Sequence, residues 1–283
     1  MREARPNWPN GIGLLVIHIG ALLAFLPMFF SWWAILVGFA IAYVTGGFGI
    51  TLSFHRSLTH RSLRMVRPLE YLTAIFGTLA FQGDPIQWVA THRIHHAHSD
   101  HDGDPHSTLK GLTWAHITWL FAKNENVPTT PEELKRYVPD LWEDPFYRAL
   151  QWLHVPLQVA LALVLFFVGG WPFVVWGIFA RLVFTYHTTW LVNSAAHSVG
   201  YRSYKTTDRS TNSWWVALVS FGEGWHNNHH AFPYSARHGL AWYEIDITWW
   251  FIKAMRALRL ADKVRVPSQA VRERLRVRRP LSS

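Results

Sequence analysis

Four apolar runs, at about 11–30, 32–53, 153–169 and 171–192, constrain this chain more than any other feature. Each is near the roughly 20 residues that a helix needs to cross about 30 Å of hydrocarbon. The predicted class is therefore an all-α integral membrane protein, with four transmembrane helices in two tight hairpins joined around Ser31 and at Gly169–Gly170. Arg56, Arg61, Arg64 and Arg67 follow the second run, and the positive-inside tendency puts that end in the cytoplasm. The stretch Leu69–Phe81 is too short to cross with ease, so it is read as re-entrant or packed at the surface. Ala241–Leu260, with Ile245, Trp249 and Ile252 at helical spacing, reads as an amphipathic helix along the bilayer.

The whole chain, 1–283, reads as one domain: the four spans, a cytoplasmic helical cap over 54–152 and 193–260, and a basic tail over 261–283. No internal repeat marks a second unit. Arg2 and Arg5 before the first run fit a retained span rather than a cleaved leader, which leaves both termini cytoplasmic. Abundant tryptophan, 17 residues, suits a protein lodged at a bilayer interface. Net charge is +9, much of it in Arg259, Lys263, Arg265, Arg272, Arg274, Arg276, Arg278 and Arg279. With apolar spans upstream, such a tail points to anionic membrane lipids, or to a solvated end, rather than to nucleic acid. There is no cysteine, which excludes disulfides, thiolate zinc sites and iron–sulfur clusters carried by this chain.

The chemistry lies in the spacing of histidines. His55 and His60 stand in HRSLTH, His92, His95 and His96 in HRIHH, and His226, His229 and His230 in HNNHH. Positions i, i+3 and i+4 share a helical face, so the second and third clusters each present three imidazoles in one direction. His55 and His60 are five apart, and both can serve one site only if the helix end unwinds or two metals sit side by side. Crowded neutral imidazoles invite a transition metal. Eight ligands exceed what one ion needs, so two metals follow, and a nitrogen-rich set favours redox iron over magnesium or calcium. The remaining histidines, including His18, His98, His101, His106, His116, His154, His187 and His238, are read as structural or as loop residues. Asp100, Asp102 and Asp104 are turn formers with the capacity to orient ligands. Arg181, in mid-span, is read as held by an internal ion pair or by carbonyl groups.

These three boxes, in this order and with paired spans before the first and between the second and third, resemble those of the membrane fatty acid desaturases. NSAAH at 193–197 and GEGWHNNHH at 222–230 carry the resemblance further, over roughly 11–250, and toward the Δ9 branch that includes acyl-CoA and acyl-lipid (stearoyl-type) enzymes. The resemblance implies a cytoplasmic centre of two Fe2+ ions, with His197 as a ninth imidazole and Asn193 as a water-mediated contact; their i, i+4 spacing agrees. It also implies O2 as co-substrate, a saturated acyl chain on CoA or a glycerolipid, and a cis double bond as product. The chain has no HPGG haem motif, so a separate ferredoxin or cytochrome b5 type of donor must supply electrons. Candidate substrate contacts are Phe39 and Tyr43 in the second span, Trp119, Trp190 and Trp225 as walls, and Arg56, Arg93 and Arg202 toward an anionic headgroup. The rival readings are a diiron hydroxylase of fatty acids or alkanes and, from another class, a metal transporter.

Overall fold

A computed structural model of the protein describes residues 5–277, and within them the chain is mostly helical. Three helical stretches are long and apolar enough to cross a membrane: Trp8–Phe25, Trp32–Thr59 and Pro145–His197. Helix α1 (Trp8–Leu22) opens the first. The second begins as α2 (Trp32–Ala42), its first turn capped by the Ser31 side chain on the backbone of Ala34, and continues as α3 (Tyr43–Thr59).

Helix α3 is wound with i→i+5 hydrogen bonds, a π-helix. The sequence of this segment explains its tolerance of so wide a turn: Gly46, Gly47 and Gly49 loosen the backbone, and Thr45 and Thr51 turn their hydroxyls back onto the carbonyls of Ile41 and Gly47. Helix α4 (Arg67–Leu79) packs flat along it. Gly49 and Gly77 meet at that crossing, where an added Cβ on Gly49 would collide with the backbone of Gly77. The short apolar stretch expected to be re-entrant or packed at the surface forms this helix. Helix α5 (Pro85–His98) follows, its N-terminus capped by Asp84 on the amides of Ile86 and Gln87.

The third stretch comprises α6 (Pro145–Val174), a π-helical segment Val175–Ala180, and α7 (Arg181–Ser194). At 53 residues it would span about 80 Å if straight. Gly170 interrupts it with φ 69° and ψ −160°, a conformation glycine alone adopts freely. Arg181 is buried and donates to the carbonyls of Gly177 and Leu79 and to Gln158, one of the two arrangements expected of it.

The 123–145 segment contains two short helices, Pro131–Tyr137 under a Thr130–Glu133 capping box and Pro139–Trp142. Beyond α7 come α8 (His226–Ala231) and α9 (Ile247–Ala257), the latter inside the predicted amphipathic segment and capped by Asp246. Strands β1 (Arg64–Met65) and β2 (Ala261–Asp262) pair antiparallel and tie the chain just after α3 to the C-terminal segment. That segment is folded as far as 277: it includes the helix Gln269–Leu275 and bridges Tyr204 through Arg276. Most of its side chains are nonetheless exposed, and Arg278 and Arg279 lie outside the described residues.

Candidate metal centre

The histidine boxes converge. His55, His60, His92, His96 and His229 form one group and His95, His197, His226 and His230 another, each with ligand atoms within 4.8 Å of one another. The groups share a wall: the rings of His96 and His230 stack at 4.5 Å between centroids. Nine of the ten residues expected as ligands are brought together in this way. The tenth, Asn193, lies in the wall of the adjoining cavity, beside His226, His55 and His92.

Helix geometry sorts the ligands. The π-helical turn of α3 solves the five-residue spacing of the first box, since an i→i+5 bond from the His60 amide to the His55 carbonyl at 3.1 Å returns both rings to one face, 4.8 Å apart. In α5, His92 and His96 turn to the first group and His95 to the second. In α8 the pattern is reversed: His226 and His230 face the second group and His229 the first. The expectation that each box aims three imidazoles in one direction is corrected here. An i, i+4 pair faces one group while the remaining ring, about 100° around the helix, faces the other.

Carboxylates fix the tautomers. His55 Nδ1 donates to Glu223 at 2.7 Å, His95 Nδ1 to Asp104 at 3.0 Å, His197 Nδ1 to Asp100 at 2.7 Å and His230 Nδ1 to Asp208 at 2.6 Å. With the proton on Nδ1, the Nε2 lone pair of each ring is left for the interior. Of these acids, Asp100 and Asp104 belong to the turn suspected in the sequence, while the exposed Asp102 does not reach the site. Glu223 and Asp208 were missed. Glu223 stands one turn before His226 in GEGWHNNHH, a position that hints at its role, but Asp208 carries no sequence signal. His238, read as structural, lies with its Nδ1 3.0 Å from Glu223 and its ring 4.4 Å from that of His229. His106, read as a loop residue, is buried with its ring 4.3 Å from that of His95. His101 is exposed in the turn, as expected, whereas His98, also exposed, is the last residue of helix α5 rather than a loop residue.

The donor set fits transition metals. Nε2 atoms face one another at 3.1 Å (His55–His229), 3.0 Å (His96–His229), 3.1 Å (His92–His96) and 2.9 Å (His197–His226). Adjacent ligands at right angles around a metal, with bonds of about 2.1 Å, stand about 3.0 Å apart, so these separations fit rings that share an ion. His60 Nε2, His226 Nδ1, His229 Nδ1 and His230 Nε2 are buried with no hydrogen-bond partner among the described residues. Burial first, and then mutual repulsion, hold His60, His92, His96, His226 and His229 well below the ordinary imidazole range, so the rings are neutral and ready to ligate. His230 is pushed down to about 4 by burial, against the pull of Asp208. Burial opposes the charge on Glu223, yet His238, His55 and Arg56 together keep it ionised.

A cavity abuts the centre, lined among others by His55, His92, Trp88, Thr188, Asn193 and Phe221. Trp88 stacks on His92 at 4.9 Å. Phe221, held at φ 58°, packs against Gly46, where a Cβ would come within 2.8 Å of the ring. Tyr43 backs this wall, edge-on to Phe221 at 5.1 Å. The other substrate candidates sit elsewhere. Phe39 is 55% exposed on the outer face, against Phe184. Trp190 is buried against His18, His187 and Tyr186, Trp119 covers His106, and Trp225 donates its indole N–H to the Ile245 carbonyl at 2.7 Å.

The arginines are corrected on the same grounds. Arg56 has no exposed surface and is clasped by Glu223 and Asp246, which removes it from any headgroup. Arg93 binds Asp140 and the carbonyls of Leu58 and Tyr137, and Arg202 braces the loop of Asp208 through the Asp208 and Thr206 carbonyls. All three serve to brace the segments around the histidine groups.

Comparison with known proteins agrees with this geometry. Residues 11–261 match the family model for fatty acid desaturase. The chain is 54% identical over 260 residues to an "sn-1 stearoyl-lipid 9-desaturase" of Anabaena variabilis, covering 92% of this chain and 94% of that one. It is 51% identical to a protein of the same name from Synechocystis sp., covering 93% and 82%. To the "Palmitoyl-monogalactosyldiacylglycerol delta-7 desaturase, chloroplastic" of Arabidopsis thaliana it is 48% identical, covering 93% and 70%. With these matches over a helical scaffold that converges nine imidazoles, the chain belongs to the fatty acid desaturase family, oxidoreductases acting on fatty acyl chains.

Proposed function

We propose that this protein inserts a cis double bond between C9 and C10 of a saturated acyl chain carried on a glycerolipid, using O2 and two iron ions. The observation that carries the reading is the pair of imidazole groups sharing a wall at the end of an apolar cavity. The names of the three relatives described above, all lipid-linked acyl desaturases and two of them 9-desaturases, support the carrier and the position. The hydroxylase and the transporter find no comparable support.

Iron bound by the two groups would supply the O2-dependent hydrogen abstraction that no side chain can perform. His55, His60, His92, His96 and His229 would hold one ion, and His95, His197, His226 and His230 the other, with Asn193 contributing through a water. In balance, the acyl chain loses two hydrogens, and O2 with two further electrons and two protons leaves as two waters. The protein's part is positional. Asp100, Asp104, Asp208 and Glu223 lock the rings, while Trp88, Thr188 and Phe221 form the walls that set one methylene pair against the centre and exclude water.

The same proposal covers topology: a single domain with four crossings in two hairpins, and with both termini and the centre on the cytoplasmic side. A reversal at Gly170 is supported by a contact between Leu165 and Gly177, where an added Cβ would lie 2.6 Å from Leu165 Cδ1. Residues twelve apart on a straight helix are about 18 Å apart along its axis. Exposed Trp32, Trp33 and Trp171 near the starts of the second and fourth crossings suit a membrane interface, and Arg61, Arg64 and Arg67 after the second suit a cytoplasmic end.

Expression in a host unable to make unsaturated fatty acids, with a reduced ferredoxin or cytochrome b5 supplied, tests the activity. Gas chromatography should reveal a new 9-monoenoic acid in the glycerolipid fraction. A hydroxy acid, or no new olefin, would overturn the reading.

A further inference from the structure

Away from the acyl cavity, at the C-terminal end of α3, lies an open cleft that the desaturase chemistry does not use. Its rim carries Arg61, Arg64, Arg67, Lys263 and Arg265, all exposed, against the carboxylates of Glu70 and Asp140. Arg61 is paired with Asp140 at 2.7 Å, Arg64 with Asp262, and Arg67 with Glu70 and Asp144. The side chains of Lys263 and Arg265 have no ion pair or hydrogen bond among the described residues.

The cleft is built rather than incidental. The β1–β2 pair, with flanking bonds from the Val66 amide to the Leu260 carbonyl and from the Arg265 amide to the Ser62 carbonyl, fixes the two basic segments side by side. Arg61 and Lys263 both adopt φ 47°, a left-handed conformation costly for side chains with a Cβ and often found at working sites. The floor includes Ser57 and Leu58, which lie between His55 and His60 on α3. Asp140 in the wall is also clasped by Arg93, the neighbour of His92, at 2.9 Å. One segment that carries histidines of the five-membered group thus lines the cleft, about one helical turn, or 5 Å of rise, from His60, and a second touches its wall through the Arg93–Asp140 pair.

We infer that this basic cleft is the docking site of a small acidic electron-carrier protein. The inference rests on the desaturase reading, which requires two electrons from outside, and it goes beyond it by assigning their point of entry. The sequence has no cysteine and no HPGG motif, so it carries neither an iron–sulfur cluster nor a cytochrome b5 type of haem to hold those electrons. A carrier that delivers one electron per visit must come and go, and a cation-rich rim suits such a small, salt-sensitive, transient contact. Charge complementarity singles out an acidic partner, and nearness to His60 makes that partner a redox protein.

The test compares the full chain with K263E/R265E and K263R/R265K, iron-loaded, in nanodiscs of zwitterionic phosphatidylcholine. Olefin formation is driven either by a reduced [2Fe–2S] ferredoxin of net negative charge or, in a single turnover, by dithionite. The charge reversal should lower kcat/KM for the ferredoxin about tenfold or more at low salt, the difference closing toward about 1 M salt. The charge-retaining variant should stay within about twofold of the parent, and the dithionite-driven yield should be equal in all three. Unchanged ferredoxin-driven turnover in K263E/R265E would overturn the inference, as would an equal loss with dithionite. Reduced flotation with phosphatidylglycerol vesicles, with ferredoxin turnover intact, would assign the cleft to lipid headgroups and overturn it too. If the parent yields no olefin with either reductant, the desaturase reading falls and the docking site with it.

Discussion

Replacing Asp208 by asparagine tests the idea that carboxylates set the ligand tautomers, at a residue that lies outside every histidine box. Asp208 Oδ1 accepts from Thr206 Oγ1 at 2.9 Å and from the Ser210 amide at 3.0 Å, while Oδ2 accepts from His230 Nδ1 at 2.6 Å. In D208N the amide oxygen keeps the first two partners, because a flip would set its NH2 against donors. The NH2 then faces His230 Nδ1 and donates to it, which moves the imidazole proton to Nε2, the nitrogen otherwise turned toward the four-histidine group. A lost orienting partner of this kind typically lowers metal affinity 10- to 100-fold, or about 1.4–2.7 kcal/mol. The assay is anaerobic Fe2+ binding to the metal-free protein in competition with a chelator, alongside thermal unfolding without metal. Affinity should fall by that factor, and the melting temperature of the metal-free form should move by no more than about 2–4 °C, the equivalent of about 1 kcal/mol in a chain of this size. Undiminished affinity would refute the orientation argument, and so would a loss of affinity matched by a collapse of the metal-free fold.

Arg56→Met should lower stability by about 3–5 kcal/mol, because it leaves the buried carboxylates of Glu223 and Asp246 uncompensated; thermal unfolding in detergent reads this, and a headgroup contact would leave it unmoved. The metal-free protein should lose stability as pH falls below about 6.5, since His230, with its folded pKa near 4, resists a proton that the unfolded chain accepts. That one group accounts for about 3 kcal/mol by pH 4, and a flat melting profile between pH 7 and pH 5 would contradict it. Gly49→Ala should push α4 away from α3 at a cost of about 1–3 kcal/mol, seen as a lower melting temperature and a weakened metal site, because its Cβ would meet the backbone of Gly77.

The histidine clusters and the apolar runs were legible because each obeys a local rule of spacing or length. HRIHH and HNNHH display helical neighbours directly, and Arg181 in mid-span announces its need for partners. What stayed hidden depends on contacts distant in sequence. Asp208 meets His230 across 22 positions, and His238 reaches Glu223 from a loop whose path no periodicity reveals. The division of each box between two groups follows from where α5 and α8 cross, a tertiary fact. The π-helical winding of α3 was signalled only as a difficulty, the five-residue gap between His55 and His60, together with three nearby glycines. Arg56 misled because a cation beside a ligand box looks like a surface group until Glu223 and Asp246 close over it.

The most direct measurement is anomalous diffraction at the iron edge from crystals of the iron-loaded protein. The account predicts two peaks, one within bonding reach of His55, His60, His92, His96 and His229 and the other of His95, His197, His226 and His230. A single peak, or iron bound away from these rings, would contradict it.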